Sequence, residues 1–173
     1  MESRAKVFGH ALHPILLVFP LGLLSTSVIF DIIHIATGNP QWAMVSFWMI
    51  ISGVIGGGAA AIFGLIDFLA IPIRTRAKSI GLLHAVAALS LLTLFFVSWL
   101  LRYNDPDTPS TLALALSLVG AGAALMAGWL GGELVERLGV GVDTGAHLNA
   151  PNSLTEPHAT PRISEAPPVQ THS

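Results

Sequence analysis

The chain has 173 residues, of which 53% are hydrophobic and 10% are charged, and its formal net charge is −2. Soluble domains carry about a quarter charged residues, so this composition argues against a soluble protein, and the slightly acidic balance argues against a nucleic-acid partner. Cysteine is absent, which excludes disulfides and thiolate ligands and leaves His, Asp and Glu as candidate metal ligands.

A short basic lead, residues 1–8, precedes the first predicted helix, which covers about residues 12–35. No small-residue cleavage site follows the apolar run, so we expect this helix to be retained and not removed as a signal peptide. Pro14 fits the first turn of the helix, whereas Pro20 lies inside it and should kink it.

Three further apolar segments, separated by turn signals, predict helices at about residues 42–71, 79–101 and 110–137. About 20 apolar residues are enough to cross a bilayer. The sequence therefore predicts an all-α fold, a four-helix transmembrane bundle over residues 9–142. We expect residues 102–109 to form an exposed loop and residues 143–173 to form a disordered cytoplasmic tail.

The basic residues predict the orientation of the bundle in the membrane. Four spans place both termini and the loop after the second helix on one side. That side has Arg4, Lys6, Arg74, Arg76, Lys78 and Arg137, and the opposite side has Arg102. Cytoplasmic loops carry the excess of Lys and Arg, so we expect both termini to be cytoplasmic.

Each predicted helix places one ionisable residue near its cytoplasmic end. These residues are His13, Asp67, His84 and Glu133. At about 1.5 Å per residue, all four should lie within roughly 5 to 8 Å of the cytoplasmic boundary. Ionisable groups inside spans usually face the bundle interior, so we expect one polar layer. His10 shares the helical face of His13, one turn further out, and is an interfacial or supporting residue.

Three interpretations of this layer stay open. In the first, the four side chains form a structural hydrogen-bonded network. In the second, His13 and His84 bind haem b as axial ligands, or bind a transition metal, with His10, Asp67 and Glu133 as supporting or additional ligands. In the third, the layer conducts protons or ions. The second interpretation predicts an electron-transfer role.

A second polar pair is expected at the opposite end of the first helix. Asp31 lies 18 residues after His13, which is five helical turns, so the two residues share a face. His34 follows Asp31 by three positions and is placed to pair with it near the headgroups.

Four ordered motifs resemble a known family. They are Gly-His-Ala-Leu-His-Pro-Ile-Leu-Leu-Val-Phe-Pro-Leu-Gly-Leu at 9–23, Phe-Gly-Leu-Ile-Asp-Phe at 63–68, Leu-His at 83–84 and Gly-Trp-Leu-Gly-Gly-Glu-Leu-Val at 128–135. The chain resembles, over about residues 9–142, the bacterial DUF2231 family of four-helix membrane proteins. The resemblance implies four spans, histidines suspected of binding haem or metal, and redox partners, without an established activity.

The sequence has no hydrolase, nucleotide-binding or thiol motif, so an enzyme is not indicated. We expect a multi-pass protein of the bacterial inner membrane whose partners are the lipid bilayer and a separate redox protein. The small-residue helix faces are also compatible with a homo-oligomer.

Overall fold

The computed structural model describes residues 1–154, and the remainder of the predicted tail, residues 155–173, lies outside the described part. The elements are β1 (Lys6–Val7), β2 (His10–Ala11), α1 (Leu12–Leu16), α2 (Val18–Thr37), α3 (Pro40–Ala70), α4 (Arg76–Leu101), α5 (Thr111–Gly132) and a π-helical turn (Glu133–Arg137). Residues 143–154 form turns.

Four helical segments are long and apolar enough to cross a membrane, as the sequence predicts. They are Leu12–Thr37, Pro40–Ala70, Arg76–Leu101 and Thr111–Arg137. Because the helices alternate in direction, the first residues, the 71–75 turn and the π-helical turn lie at one end of the bundle, here called the terminal end. The 38–39 and 102–110 turns lie at the opposite end.

Local chemistry fixes where the helices begin and end. Asn39, Thr75 and Ser110 precede α3, α4 and α5, and the side chain of each accepts a hydrogen bond from a backbone N–H two or three residues later. Such caps satisfy donors that the first helical turn leaves unpaired. Gly38 ends α2 at φ 67°, a left-handed conformation that glycine adopts without steric cost.

The first span is interrupted one turn before Pro20. Leu17 separates α1 from α2, so Pro20 is the third residue of α2. A proline in the first turn of a helix removes an N–H that has no partner there in any case. The break between α1 and α2 therefore falls where a proline is tolerated, and the backbone hydrogen bonds on either side of it are kept.

The basic lead is folded onto the terminal end of the bundle. β1 and β2 form an antiparallel hairpin, with Phe8 and Gly9 at positive φ in its turn. The amino group of Met1 donates to the Gly139 carbonyl at 2.7 Å. Lys6 pairs with Glu2 inside the lead at 2.7 Å and with Asp143 after the last helix at 3.5 Å. The lead is thereby attached to the segment that follows the last helix.

The four spans form two helical hairpins with several corresponding positions. Hairpin 1 consists of α1, α2 and α3, and hairpin 2 consists of α4 and α5. In the first helix of each hairpin, a spacing of 71 residues relates two identical pairs, His13 with His84 and Ser27 with Ser98, and two pairs of different residues, Leu24 with Phe95 and Asp31 with Arg102. In the second helix the recurrence is 67 positions, as Gly53 and Gly120, Ala60 and Ala127, Gly64 and Gly131.

Equivalent packing follows from these equivalent residues. A β-carbon added at Gly53 would lie 2.7 Å from Leu24 Cγ, and one at Gly120 would lie 2.9 Å from Phe95 Cε2. In both hairpins a large side chain of the first helix therefore fills the space that a glycine of the second helix leaves. Small residues let helix backbones approach closely, which is how helices associate in a membrane.

The packing predicts that Gly120 is needed and that its neighbour Gly122 is not. The Gly120→Ala β-carbon would lie 2.9 Å from the fully buried Phe95 ring, so the ring or the helix must shift. We expect a loss of about 1–3 kcal/mol of stability from such overpacking. At Gly122 nothing lies within 4 Å of an added β-carbon, so Gly122→Ala should be neutral or gain up to about 1 kcal/mol of helix stability. Thermal unfolding in detergent, followed by circular dichroism, measures both; equal midpoints would contradict the assigned contact.

The attachment of the lead should depend on pH. Lys6 and the hydroxyl and N–H of Thr144 lower the pKa of Glu2 from its usual 4.5 to about 2. A lowered carboxyl pKa means that the stabilisation is complete above about pH 4.5 and is lost as the pH falls toward 2. The Thr144 amide signal, followed by NMR in detergent, should shift across this range, and Glu2→Gln should remove the shift. A transition of the same size in Glu2→Gln would show that Glu2 is not responsible.

Candidate functional site

His13 is positioned by its own hairpin. It lies in α1, just before Pro14, and its ring reaches across to α3. Nδ1 lies 2.8 Å from the Ala60 carbonyl oxygen. A β-carbon at Gly64 would lie 2.8 Å from the ring atoms Cε1 and Nδ1. The imidazole therefore occupies a space that exists because residue 64 has no side chain.

His84 is held in the same way by hairpin 2. Its Nδ1 lies 2.9 Å from the Ala127 carbonyl oxygen on α5. A β-carbon at Gly131 would lie 3.3 Å from the ring atom Cε1. The carbonyl acceptor and the glycine are four residues apart in both hairpins, which places them one above the other on the same helix face.

The two imidazoles meet between the hairpins, as the sequence predicts from their depth. Their ring centroids are 6.3 Å apart and the ring planes are perpendicular, at 89°. A carbonyl oxygen only accepts hydrogen bonds, so Nδ1 of each ring carries the hydrogen and Nε2 of each neutral ring keeps its lone pair. Histidines that bind metals usually donate their other ring N–H to a carbonyl or carboxylate in this manner.

Asp67 lies one turn after Gly64, but its carboxylate is hydrogen-bonded to residues of the lead. Ser3 Oγ donates to its two oxygens at 2.9 and 2.7 Å, and the Arg4 N–H donates at 2.8 Å. A carboxylate at the last turn of a helix is disfavoured by the helix dipole, and these two donors offset that cost. The structure thus shows Asp67 hydrogen-bonded to the lead and not to the histidines.

Glu133 also has a partner of its own. It begins the π-helical turn and forms a hydrogen-bonded ion pair with Arg76, the first residue of α4. His10 lies in β2, where its exposed ring contacts the Phe8 carbonyl at 3.0 Å. The four-residue hydrogen-bonded network is therefore not what the structure forms, although its members share one end of the bundle.

The donor set that the structure brings together is a pair of imidazoles. Within residues 1–154 no group of three or more His, Asp and Glu side chains is placed to hold a metal ion. Two imidazole Nε2 atoms suit the two axial positions of a haem iron, whose porphyrin supplies the other ligands. They also suit a metal ion that completes its coordination with ligands from outside the chain.

Neighbouring side chains fill the glycine face of α3. A β-carbon at Gly53 would lie 2.7 Å from Leu24 Cγ, and one at Gly56 or at Gly57 would lie 3.4 Å from Pro20. These glycines therefore serve the packing of hairpin 1.

A buried ion pair, which the sequence does not predict, lies at the opposite end of the bundle. Arg102 is 0% exposed, so its assignment to an exposed loop is wrong. Its Nη1 and Nη2 lie 2.6 and 2.8 Å from the two oxygens of Asp31. The predicted pairing of Asp31 with His34 is also wrong, because His34 contacts the Asn39 carbonyl at 3.0 Å.

Two serines add hydrogen bonds to the Nη atoms of Arg102, whereas its Nε is buried without a partner among residues 1–154. Ser46 Oγ and Ser117 Oγ lie 3.2 and 2.8 Å from its nitrogens. A sequence signal for the pair exists, because Asp31 and Arg102 have the 71-residue spacing that relates His13 to His84. The two polar sites are thus equivalent-residue pairs at opposite ends of the bundle.

An apolar cluster separates the two ends. Leu24, Val28, Ile50 and Phe95 are buried together directly below the Asp31–Arg102 pair. Val28 and Leu24 lie one and two turns before Asp31 on α2. Polar contacts therefore do not continue from the ion pair into this cluster.

Comparison with known proteins agrees with the architecture. Residues 9–144 match the family DUF2231, which is described as a predicted membrane protein. No match was found among curated proteins or among solved structures. The family match covers most of the chain, including both hairpins and both histidines, and the chain belongs to the DUF2231 family of predicted membrane proteins.

Proposed function

We propose that His13 and His84 together bind a haem b iron or a transition-metal ion through Nε2, and that the protein serves electron transfer. The observation that supports this is the pair of tethered rings, one from each hairpin, with Nδ1 held by a carbonyl and the centroids 6.3 Å apart. Two imidazoles on opposite sides of one ion have a centroid separation of roughly 6 Å, given metal–nitrogen bonds of about 2.0–2.1 Å.

The residues of the chain would orient the ligand and tune it. Each carbonyl that accepts from Nδ1 fixes the tautomer and the ring direction, and increases the basicity of Nε2. A haem iron or a redox-active metal ion at this position would supply one-electron chemistry. Asp67 and Glu133 act as supporting residues, because they hold the lead and α4 in place around the histidines.

We also propose that the terminal end faces the cytoplasm of a bacterial cell and that the membrane is the inner membrane. Burial of Arg102 strengthens the charge asymmetry, because among residues 1–154 the opposite end then exposes no Lys or Arg. A site at the cytoplasmic face is accessible to a redox partner protein on that side.

A structural role for the two histidines is the alternative. Each ring already satisfies a carbonyl of the neighbouring helix, and such bonds stabilise a bundle without any ligand. A proton path across the membrane is less well supported, because the cluster of Leu24, Val28, Ile50 and Phe95 is apolar.

The first test compares His13→Ala and His84→Ala with His10→Ala. We expect the first two variants to lose the bound chromophore or metal ion, since each removes one of two ligands, while His10→Ala keeps it because that ring is exposed in β2. Oxidised and reduced absorption spectra, with metal analysis of the same detergent-purified sample, measure this. A Soret band that shifts on reduction identifies haem, and stoichiometric metal without that band identifies an ion. Colourless, metal-free protein after expression with ample haem and metal would favour the structural role.

A second test changes the site without changing a ligand. Gly64→Ala places a β-carbon against the His13 ring, whereas Gly58→Ala on the same helix has nothing within 4 Å. Displacing the ring from its carbonyl should weaken ligand binding about 10- to 100-fold, as loss of a supporting contact does. Titration of the purified variants with haemin or with the metal found in the wild-type protein gives the affinities. Equal affinity in the two variants would contradict a site at His13.

A further inference from the structure

Equivalent residues of the two hairpins meet at both ends of the bundle. His13 meets His84 at the terminal end, and Asp31 meets Arg102 at the opposite end. Residues that contact their own equivalents lie on a two-fold axis, so the hairpins are arranged as the two subunits of a symmetric dimer would be. The first pair is identical in both hairpins, and the second is opposite in charge.

Because the two hairpins are similar, hairpin 1 of one molecule could pack on hairpin 1 of a second molecule as it packs on hairpin 2 of its own. Ser27 and Ser98 are identical, and Leu24 and Phe95 are both apolar and buried. Leu24 and Phe95, which share one buried cluster, and the two histidines are the positions that meet between the hairpins. They would offer similar contacts if hairpin 1 packed on hairpin 1 of a second molecule. Discrimination between the two pairings must therefore come from positions at which the hairpins differ.

The charge pair is the largest such difference. The side chains of Arg102 and Asp31 are 0% and 2% exposed, and both guanidinium Nη atoms bond to the two carboxylate oxygens. Pairing of hairpin 1 with its own copy would bring two buried Asp31 carboxylates together, and pairing of hairpin 2 with its own copy would bring two Arg102 side chains together. Unpaired or like charges inside a membrane bundle are costly.

We infer that the Asp31–Arg102 pair is the pairing determinant of the bundle, which directs hairpin 1 to hairpin 2 and prevents either hairpin from docking on its own copy in another molecule. The surface between the hairpins can then bind a hairpin from a second copy of this chain, provided that the residues at positions 31 and 102 that face each other have opposite charges. Attraction in the correct pairing and repulsion in the wrong ones act together, as in other specific interfaces.

Charge reversal in the full chain tests this inference. Arg102→Asp and Asp31→Arg each create like charges, and we expect the yield of monodisperse protein after gel filtration in detergent to fall more than about tenfold, because a buried pair is broken. The double variant Asp31→Arg/Arg102→Asp restores opposite charges and should recover to within about threefold of the wild type. Asp105→Arg, in the exposed turn at the same end, is the matched control and should leave the yield unchanged.

A test in trans measures pairing between copies directly. The Arg102→Asp chain has Asp at both positions and the Asp31→Arg chain has Arg at both, so their hairpins are complementary to each other. Co-expressed with different tags and purified on both in sequence, they should be recovered together at least about tenfold more than two wild-type chains. Recovery no higher than that of wild-type chains would overturn the inference. So would a double reversal as poor as the single ones, or single reversals that match Asp105→Arg.

Discussion

The structure depends on the close approach of the two helices within each hairpin. In lipid the hydrophobic effect does not drive helices together, and association relies on van der Waals packing and on hydrogen bonds between helices. Gly53 and Gly120 accept the large side chains of Leu24 and Phe95, and Gly64 and Gly131 accept the imidazoles. At this distance a histidine of one helix reaches a backbone carbonyl of the next. Removal of the glycines would remove the histidine geometry with them.

The close approach of the helices also explains why Nε2 of each histidine is left without a partner in its own hairpin. A carbonyl in the interior of a helix already accepts one bond from its own helix, and the additional bond from Nδ1 uses its second lone pair. The bond places the ring hydrogen on Nδ1, and Nε2, on the other side of the ring, points away from the carbonyl that holds it. Asp67 and Glu133 do not compete for the rings, because Ser3, Arg4 and Arg76 occupy them.

Four spans, their approximate bounds and the depth of His13 and His84 could be predicted from the sequence, because each follows from hydropathy, helix rise and turn residues. The partners of Asp67 could not, since residues 1–8 have no apolar periodicity and their folding onto the bundle depends on tertiary contacts. Arg102 was misplaced because a charge next to a turn favours a loop, and only its buried partner Asp31 reverses that preference. The repeat spacings of 71 and 67 residues are a signal that a search for internal repeats would detect.

Corresponding residues of the two hairpins are identical at one end of the bundle and opposite in charge at the other. At the terminal end the hairpins contribute the same residue, which is what a ligand with two equivalent binding faces requires. At the opposite end they contribute opposite charges, because identical ones would repel each other. The apolar cluster between the ends keeps the two from sharing polar contacts. Each end can therefore vary separately, and our two proposals assign the choice of partner hairpin to the ion pair and the binding of a ligand to the histidines.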